Sequence, residues 1–403
     1  MANSVTPVTI QGRYFWKGNL RFIMNGVVYK SYGLCADMLA DDRIEDLEHA
    51  IPLLRRLGIN TLFICHIDET KSHKACMNLL AEHEIYVLVS IESIPPTVYH
   101  NTPMMSYTSN SMQRFFQAVE NLASYPNLLG FAIPDDLIKD LEPVVAAPVI
   151  RAIVRDIRRY LSLLAVKKHQ RVVPVGIVAL GMRIPLREQF EYCCSGDDNE
   201  TVDFFVFDYV YFSPKMTMQT STDPEPLNMF SNTHIPVSFI YGCNHLMPRR
   251  FLETRTIYLH PGMRRVFSGG IVFQFFDGPS KDGLVALTQR NNDRLRYEET
   301  INYRNLRDSV HKAFLPLPAS IMARSRFVEA AAMSGTKPER PDPIMNFLAI
   351  RQVPASPVNW TEAEAHIIDD SEWVDAGKEW LDLSVEDLAA SIWDKLNIDE
   401  ADA

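Results

Sequence analysis

Apolar runs of six to nine residues recur through the first three quarters of the chain, and between them apolar side chains return every third or fourth position. That order, strand then helix then strand, is the pattern of parallel strands joined by crossover helices. Eight runs qualify: 21–29, 60–67, 85–91, 128–133, 172–178, 203–209, 236–241 and 270–276. Several are continuously apolar, as burial on both faces demands. The count predicts an α/β fold, a closed (β/α)8 TIM barrel. After the first run, Asp41-Asp42 cap a predicted helix through Leu53-Leu54 to Leu57, and Gly58 supplies the left-handed stop. The stretch 149–168 is amphipathic, with Ile150, Ile153, Val154, Ile157, Leu161 and Leu164 on one face and Arg151, Arg155, Arg158 and Arg159 on the other. It reads as a packing face with no further function.

The barrel pattern stops near Leu315, which divides the chain into a barrel (1–315), a Pro-punctuated segment that wraps it (316–359) and an acidic tail (360–403). The tail holds Trp360, Trp373, Trp380 and Trp393, and an amphipathic pattern over 385–396 makes it partly helical. It is either a packed irregular extension or an acidic arm that docks on a partner or on the chain itself. The tail's 14 Asp and Glu against two Lys give −12 of the chain's −10, leaving the first 359 residues at +2. So balanced a body lacks the basic surface that nucleic acid needs, and Arg249-Arg250 and Lys167-Lys168 read as solvated helix ends. No uninterrupted apolar stretch is long enough to cross a membrane, and the opening MANSVTPVTIQGRYFW lacks a signal pattern, so a cytoplasmic protein is expected. The six cysteines have no CxxC spacing and are expected as reduced thiols without zinc. Nothing in the sequence calls for a metal or cofactor, and the oligomeric state is left open.

Barrel enzymes carry their chemistry at the C-terminal strand ends. Those positions hold Tyr29-Lys30, His66, Asp68, Glu92, Asp135-Asp136, Asp208-Tyr209, Tyr241 and 274–277. They contain no zinc-binding pair, no nucleophile elbow and no phosphate loop. Asp135-Asp136 are either a capping pair or two crowded carboxyls, one of which stays protonated near neutral pH. Tyr209 and Tyr241 are core phenols or, acting together, donors that orient a carbonyl oxygen. His66 with Glu92 is an acid/base pair or a structural histidine beside an unrelated carboxylate. Among Phe63, Phe207, Phe273 and Phe275, those facing the axis shape the pocket.

Six stretches in order, RRLGINTLFICHID (55–68), KACMNLLAEHEIYVLV (74–89), NLLGFAIPDDLI (127–138), VPVGIVA (173–179), IPVSFIYGCN (235–244) and VFSGGIVFQFF (266–276), carry a resemblance over residues 8–310. They are similar to the fungal cell-wall β-1,3-glucanosyltransferases of glycoside hydrolase family 72, retaining enzymes on a (β/α)8 barrel. The resemblance implies an Asn-Glu pair after strand four, with the Glu as general acid/base, where this chain has Asp135-Asp136. It also implies a nucleophilic Glu just before the strand-seven Tyr-Gly-Cys-Asn, where the chain reads Ser238-Phe239-Ile240-Tyr241-Gly242-Cys243-Asn244, one residue short and without a carboxylate. Phe63, Glu92, Phe207 and Gln274 replace the family's polar Arg, Asn, Asn and Glu. The family is secreted and disulfide-bonded, and the half-cystine implied for Cys76 aligns with Leu47.

Retaining transfer uses two carboxyls about 5–5.5 Å apart. The replaced polar groups therefore lead to the expectation of a non-hydrolytic biosynthetic enzyme of secondary metabolism. It would bind an apolar small molecule and promote cyclisation, isomerisation or a Diels–Alder cycloaddition through Asp136, Asp135, Tyr209 and Tyr241. Tyr29, Phe63, His66, Glu92, Phe207, Phe273 and Gln274 would line its pocket. The alternative is an inactive glucanosyltransferase-like protein that binds glucan or a protein partner.

Overall fold

The computed structural model describes residues 5–30, 36–91, 103–134, 146–179, 186–209, 225–242, 248–279, 281–289, 295–313 and 352–369. It opens on a small antiparallel sheet of β1 (Val8–Gln11), β2 (Tyr14–Lys17) and β3 (Leu20–Phe22). Gly12 and Gly18 make its two tight turns at φ +58° and +57°, a backbone region where glycine pays no Cβ penalty. Val8, Phe15 and Phe22 from this sheet join the residues on the barrel axis and stopper its N-terminal end. The predicted run 21–29 is therefore two strands, one in the stopper and one in the barrel.

The barrel is β4 (Met24–Val28), β5 (Thr61–Ile64), β6 (Tyr86–Ser90), β7 (Leu128–Pro134), β8 (Val175–Ala179), β9 (Phe205–Asp208), β10 (Val237–Tyr241) and β11 (Gly269–Val272). Each pairs in parallel with the next, and β11 returns to β4 to close the ring. These are the eight strands expected, most of them shorter, although β7 and β8 each end one residue later and β11 starts one residue earlier than the expected runs. The crossovers carry α1 (Ile44–Arg56), α2 (Lys74–Glu82), α3 (Pro103–Ser106), α4 (Ser109–Ala123), α5 (Ala146–Lys167) and α6 (Leu186–Cys194). Further on come α7 (Glu225–Met229), α8 (Leu252–Leu259), α9 (Pro261–Val266), the hairpin β12 (Val285–Gln289) and β13 (Leu295–Glu299), α10 (Ile301–Ala313) and α11 (Trp360–Asp369). Low on the axis one ring does the filling: a Cβ at Gly130 or Gly176 would stand 2.7 or 2.3 Å from the Phe204 ring. Glycine on β7 and β8 makes the room that this phenylalanine occupies.

Asp41 does not cap the helix it precedes. A 3-10 turn, Asp41–Arg43, leads into α1, and Asp41 Oδ1 accepts instead from the amides of Ala75 (2.7 Å) and Cys76 (3.2 Å) at the start of α2. Its Oδ2 accepts from Ser72 Oγ at 2.6 Å. Partial burial works against the carboxylate, but the Ser72, Cys76 and Ala75 hydrogen bonds and nearby His73 hold its pKa below the ordinary 3.8. Because the folded value is depressed, this stabilisation is present at neutral pH and is lost as pH falls through that folded value. Asp41→Ala is expected to cost about 1 kcal/mol at pH 7, as for other helix caps, and less once the pH has fallen through the depressed folded value, when measured by urea unfolding at each pH. Cys76 itself is a free thiol whose Sγ donates to the Ala40 carbonyl, and Leu47, the position aligned with its implied partner, is a buried residue of α1.

The apolar face of α5 is buried as expected, but its arginine face is not left to solvent. Arg151 is 4 % exposed and donates to the Ser195 carbonyl at 2.8 Å, and Arg158 meets Asp203 at 2.6 Å. Arg155 donates to the Pro354 carbonyl at 2.8 Å, and Arg159 lies 4.1 Å from the Trp360 ring centre. Lys167 pairs with Glu364 and His366 with Glu120 on α4. These contacts seat residues 352–369 on α4 and α5, with Ala363 and Ile367 buried. The remainder of the wrapping segment and of the acidic tail, with the pattern at 385–396, lies outside the described residues.

Candidate functional site

Side chains on a barrel strand alternate between the axis and the surrounding helices. Val28, Phe63, Leu88, Val178, Val206, Ile240 and Ile271 belong to the axial cluster. Val27, Tyr29, Ile64, Val89, Phe207, Phe239, Tyr241 and Val272 belong to the layer between strands and helices. One step further along the axial face stand Lys30, Cys65, Ser90, Asp208 and Phe273. Cys65 and Phe273 pack against the axial cluster, and the Lys30 ammonium lies 4.8 Å from the centre of the Phe273 ring.

This alternation divides the expected site residues. Phe63 and Phe273 face the axis. Tyr29 instead packs its ring on Phe275 and Phe276, and burial pushes its phenol well up. Phe207 stacks with Phe230, and Tyr209 lies against Phe207 and Phe239. Tyr241 is fully buried, its hydroxyl 3.4 Å from Thr254 Oγ1 on α8, and burial raises its pKa. The expectation that Tyr209 and Tyr241 orient a substrate at the mouth is thereby corrected, and so is the lining role of Tyr29 and Phe207. A shift of one residue along a strand moves a side chain to the opposite face. Gln274 is 2 % exposed and donates from Nε2 to Asp282 Oδ1 at 3.2 Å, while His66 is half-buried just past β5. Glu92, Asp135 and Asp136 lie outside the described residues.

Two groups gain importance that sequence reasoning did not assign. Asp208 ends β9 on the axial face, with its Oδ1 sealed from solvent and without a hydrogen-bond partner among the described residues. Burial pushes its carboxyl up to about 6. Its place two residues beyond Val206 is the signal that would have found it. Arg249, expected as part of a solvated pair, is 3 % exposed; its guanidinium donates to the carbonyls of Gly242, Phe273 and Asp282. It thus ties the ends of β10 and β11 together. Among the described residues no group of three His, Cys, Asp or Glu is placed to hold a metal ion. A groove of about 540 Å³ lies elsewhere, on the outer wall between α1 and α2, lined by residues such as Ile51, Arg55, Leu79 and His83. It borders no strand end.

A glucanosyltransferase family model matches residues 1–313. The 1,3-beta-glucanosyltransferase gel1 of Aspergillus fumigatus is 32% identical over 293 residues, 72% of this chain and 63% of the relative. The 1,3-beta-glucanosyltransferase PGA4 of Candida albicans is 31% identical over 70% of this chain and 63% of its own. The chain thus spans under two thirds of the length of these relatives. Saccharomyces cerevisiae Gas2p in complex with laminaritriose and laminaritetraose superposes with a TM-score of 0.75 at 26% identity, over 89% of this chain and 78% of that one.

These likenesses correct four expectations. A cyclase, isomerase or Diels–Alder catalyst of secondary metabolism gives way, because the relatives are named for glucanosyl transfer. The expectation of an apolar small-molecule partner is withdrawn, because the structural neighbour holds laminaritriose and laminaritetraose. The rejection of glucanosyltransferase activity falls with them, and the cytoplasmic expectation is withdrawn too, because the relatives are named as the 1,3-beta-glucanosyltransferases that the resemblance describes as secreted. Among the described residues, no helix is long and apolar enough to cross a membrane. By its match from residue 1 to residue 313, the chain belongs to the glucanosyltransferase family, glycoside hydrolase family 72.

Proposed function

We propose that this barrel acts on β-1,3-glucan, holding a glucan chain across its C-terminal mouth and transferring a glucanosyl segment to the hydroxyl of a second chain. The observation that carries this reading is the family match across the whole barrel, every strand end included. The axial face supports it: Phe63 and Phe273 give aromatic surface on which a sugar ring can lie, and Ser90 and Asp208 give partners for its hydroxyls.

A second reading, glucan binding without turnover, is favoured by one feature: β10, Val237–Tyr241, carries no carboxylate. Laminaripentaose incubated with the full chain separates the two. Transfer is expected to yield oligosaccharides longer than the donor by mass spectrometry. Calorimetric binding with an unchanged oligosaccharide pattern would leave the second reading, and neither binding nor new products would overturn both. In the same assay Phe273→Ala is expected to weaken laminaripentaose binding about tenfold, by about 1.4 kcal/mol of lost ring contact.

A further inference from the structure

Among the described residues, the axial face at the strand ends offers one carboxyl. Asp208 stands in register with Ile240, and the amide of Tyr209 donates to the Ile240 carbonyl at 2.9 Å, which locks β9 to β10 at this level. Adjacent strands lie about 4.8 Å apart. Asp208 is therefore one strand away from the place on β10 where a second carboxylate is missing, and it points to the same axis. Its Oδ1 is closed off from water and meets no donor among the described residues, an arrangement that disfavours the charged form of the carboxyl. Val206 and Ile240 beside it are apolar, and burial is what raises its carboxyl.

We propose that Asp208 is the proton carrier of the transfer reaction, an inference that rests on the reading above. Its neutral carboxyl gives a proton to the glycosidic oxygen as the bond from that oxygen to the anomeric carbon breaks, and the reducing-end fragment leaves as an alcohol. The positive charge that develops at the anomeric carbon then faces the carboxylate just formed. The hydroxyl of the acceptor chain forms the new bond to that carbon and returns its proton to Asp208. One glycosidic bond breaks and one forms, the carboxyl is regenerated, and nothing is oxidised or reduced. A carboxyl that burial raises to about 6 is suited to this task, because it still holds its proton in mildly acidic medium.

The test compares the full chain with Asp208→Asn and Asp136→Asn on laminaripentaose and on a dinitrophenyl β-laminaribioside, whose leaving group needs no proton. Asp208→Asn is expected to lower kcat on laminaripentaose about 100-fold or more with KM little changed. It should also abolish the fall of kcat/KM as pH rises through 6, while turnover of the dinitrophenyl substrate drops less than about tenfold. A merely structural aspartate would lower both substrates alike and leave the pH profile in place. Thermal unfolding checks that the variant folds, and removal of a poorly solvated carboxyl should not lower its midpoint. Equal loss on both substrates, an unchanged pH limb, or a limb removed by Asp136→Asn and kept by Asp208→Asn overturns the proposal while glucan transfer stands. A full chain that makes no transfer products overturns the transfer reading itself, and Asp208 as its proton carrier with it.

Discussion

Phe204→Ala is expected to lower the unfolding free energy by about 3–5 kcal/mol, the range for deleting a buried phenylalanine. The ring sits on the barrel axis, 1 % exposed, with Phe15 of the stopper sheet 6.0 Å away between ring centres. Neither β7 nor β8 can fill the space, since Gly130 and Gly176 present no side chain there. The loss is about a fifth or more of the stability of an ordinary domain, so the urea midpoint should move far. Adding Gly176→Val to Phe204→Ala should restore part of it, whereas Gly176→Val alone meets the intact ring and destabilises. Additive losses in the double variant would mean that ring and glycine do not share the space.

Arg249→Met should cost about 3 kcal/mol, because three carbonyls lose a charged donor in a region with little water to replace it. Those of Gly242, Phe273 and Asp282 belong to the turns after β10 and β11, so the variant also loosens the floor on which Phe273 stands. Arg249→Lys keeps the charge but not the planar fork, and one ammonium cannot reach all three carbonyls in the same geometry. It is expected to recover less than half of the loss by urea unfolding. Full recovery by lysine would show that charge alone suffices there.

The eight strands were legible because parallel strands buried on both faces leave continuous apolar runs, and runs such as 85–91 can be little else. The same property hid the faces. With apolar residues pointing both ways, nothing in Phe207-Asp208-Tyr209 says which side chain meets the axis, and the strand-end phenols were assigned to the mouth when the ladder turns them to the helices. Asp208 stood in view among the strand-end residues, but its isolation became evident only from the burial of Oδ1. Arg249 and Asp41 were misjudged for a different reason: each acts on backbone groups distant in sequence, on Phe273 and Asp282 in one case and on Ala75 and Cys76 in the other. Side chains that serve remote backbone leave no periodic trace.

The seat of residues 352–369 has a mechanical consequence. In the ring, β11 and β7 are four strands apart, so α10 leaves the barrel on one flank and α11 lies on the opposite one, against α4 and α5. A pull on the C-terminal arm would enter the barrel through α11 and not through α10. Its contacts on α5 run from Arg155 to Lys167, twelve residues or about 18 Å of helix. A load along that seam acts in shear on many contacts at once, so the barrel's closing helix is spared the tension until the seam has given way.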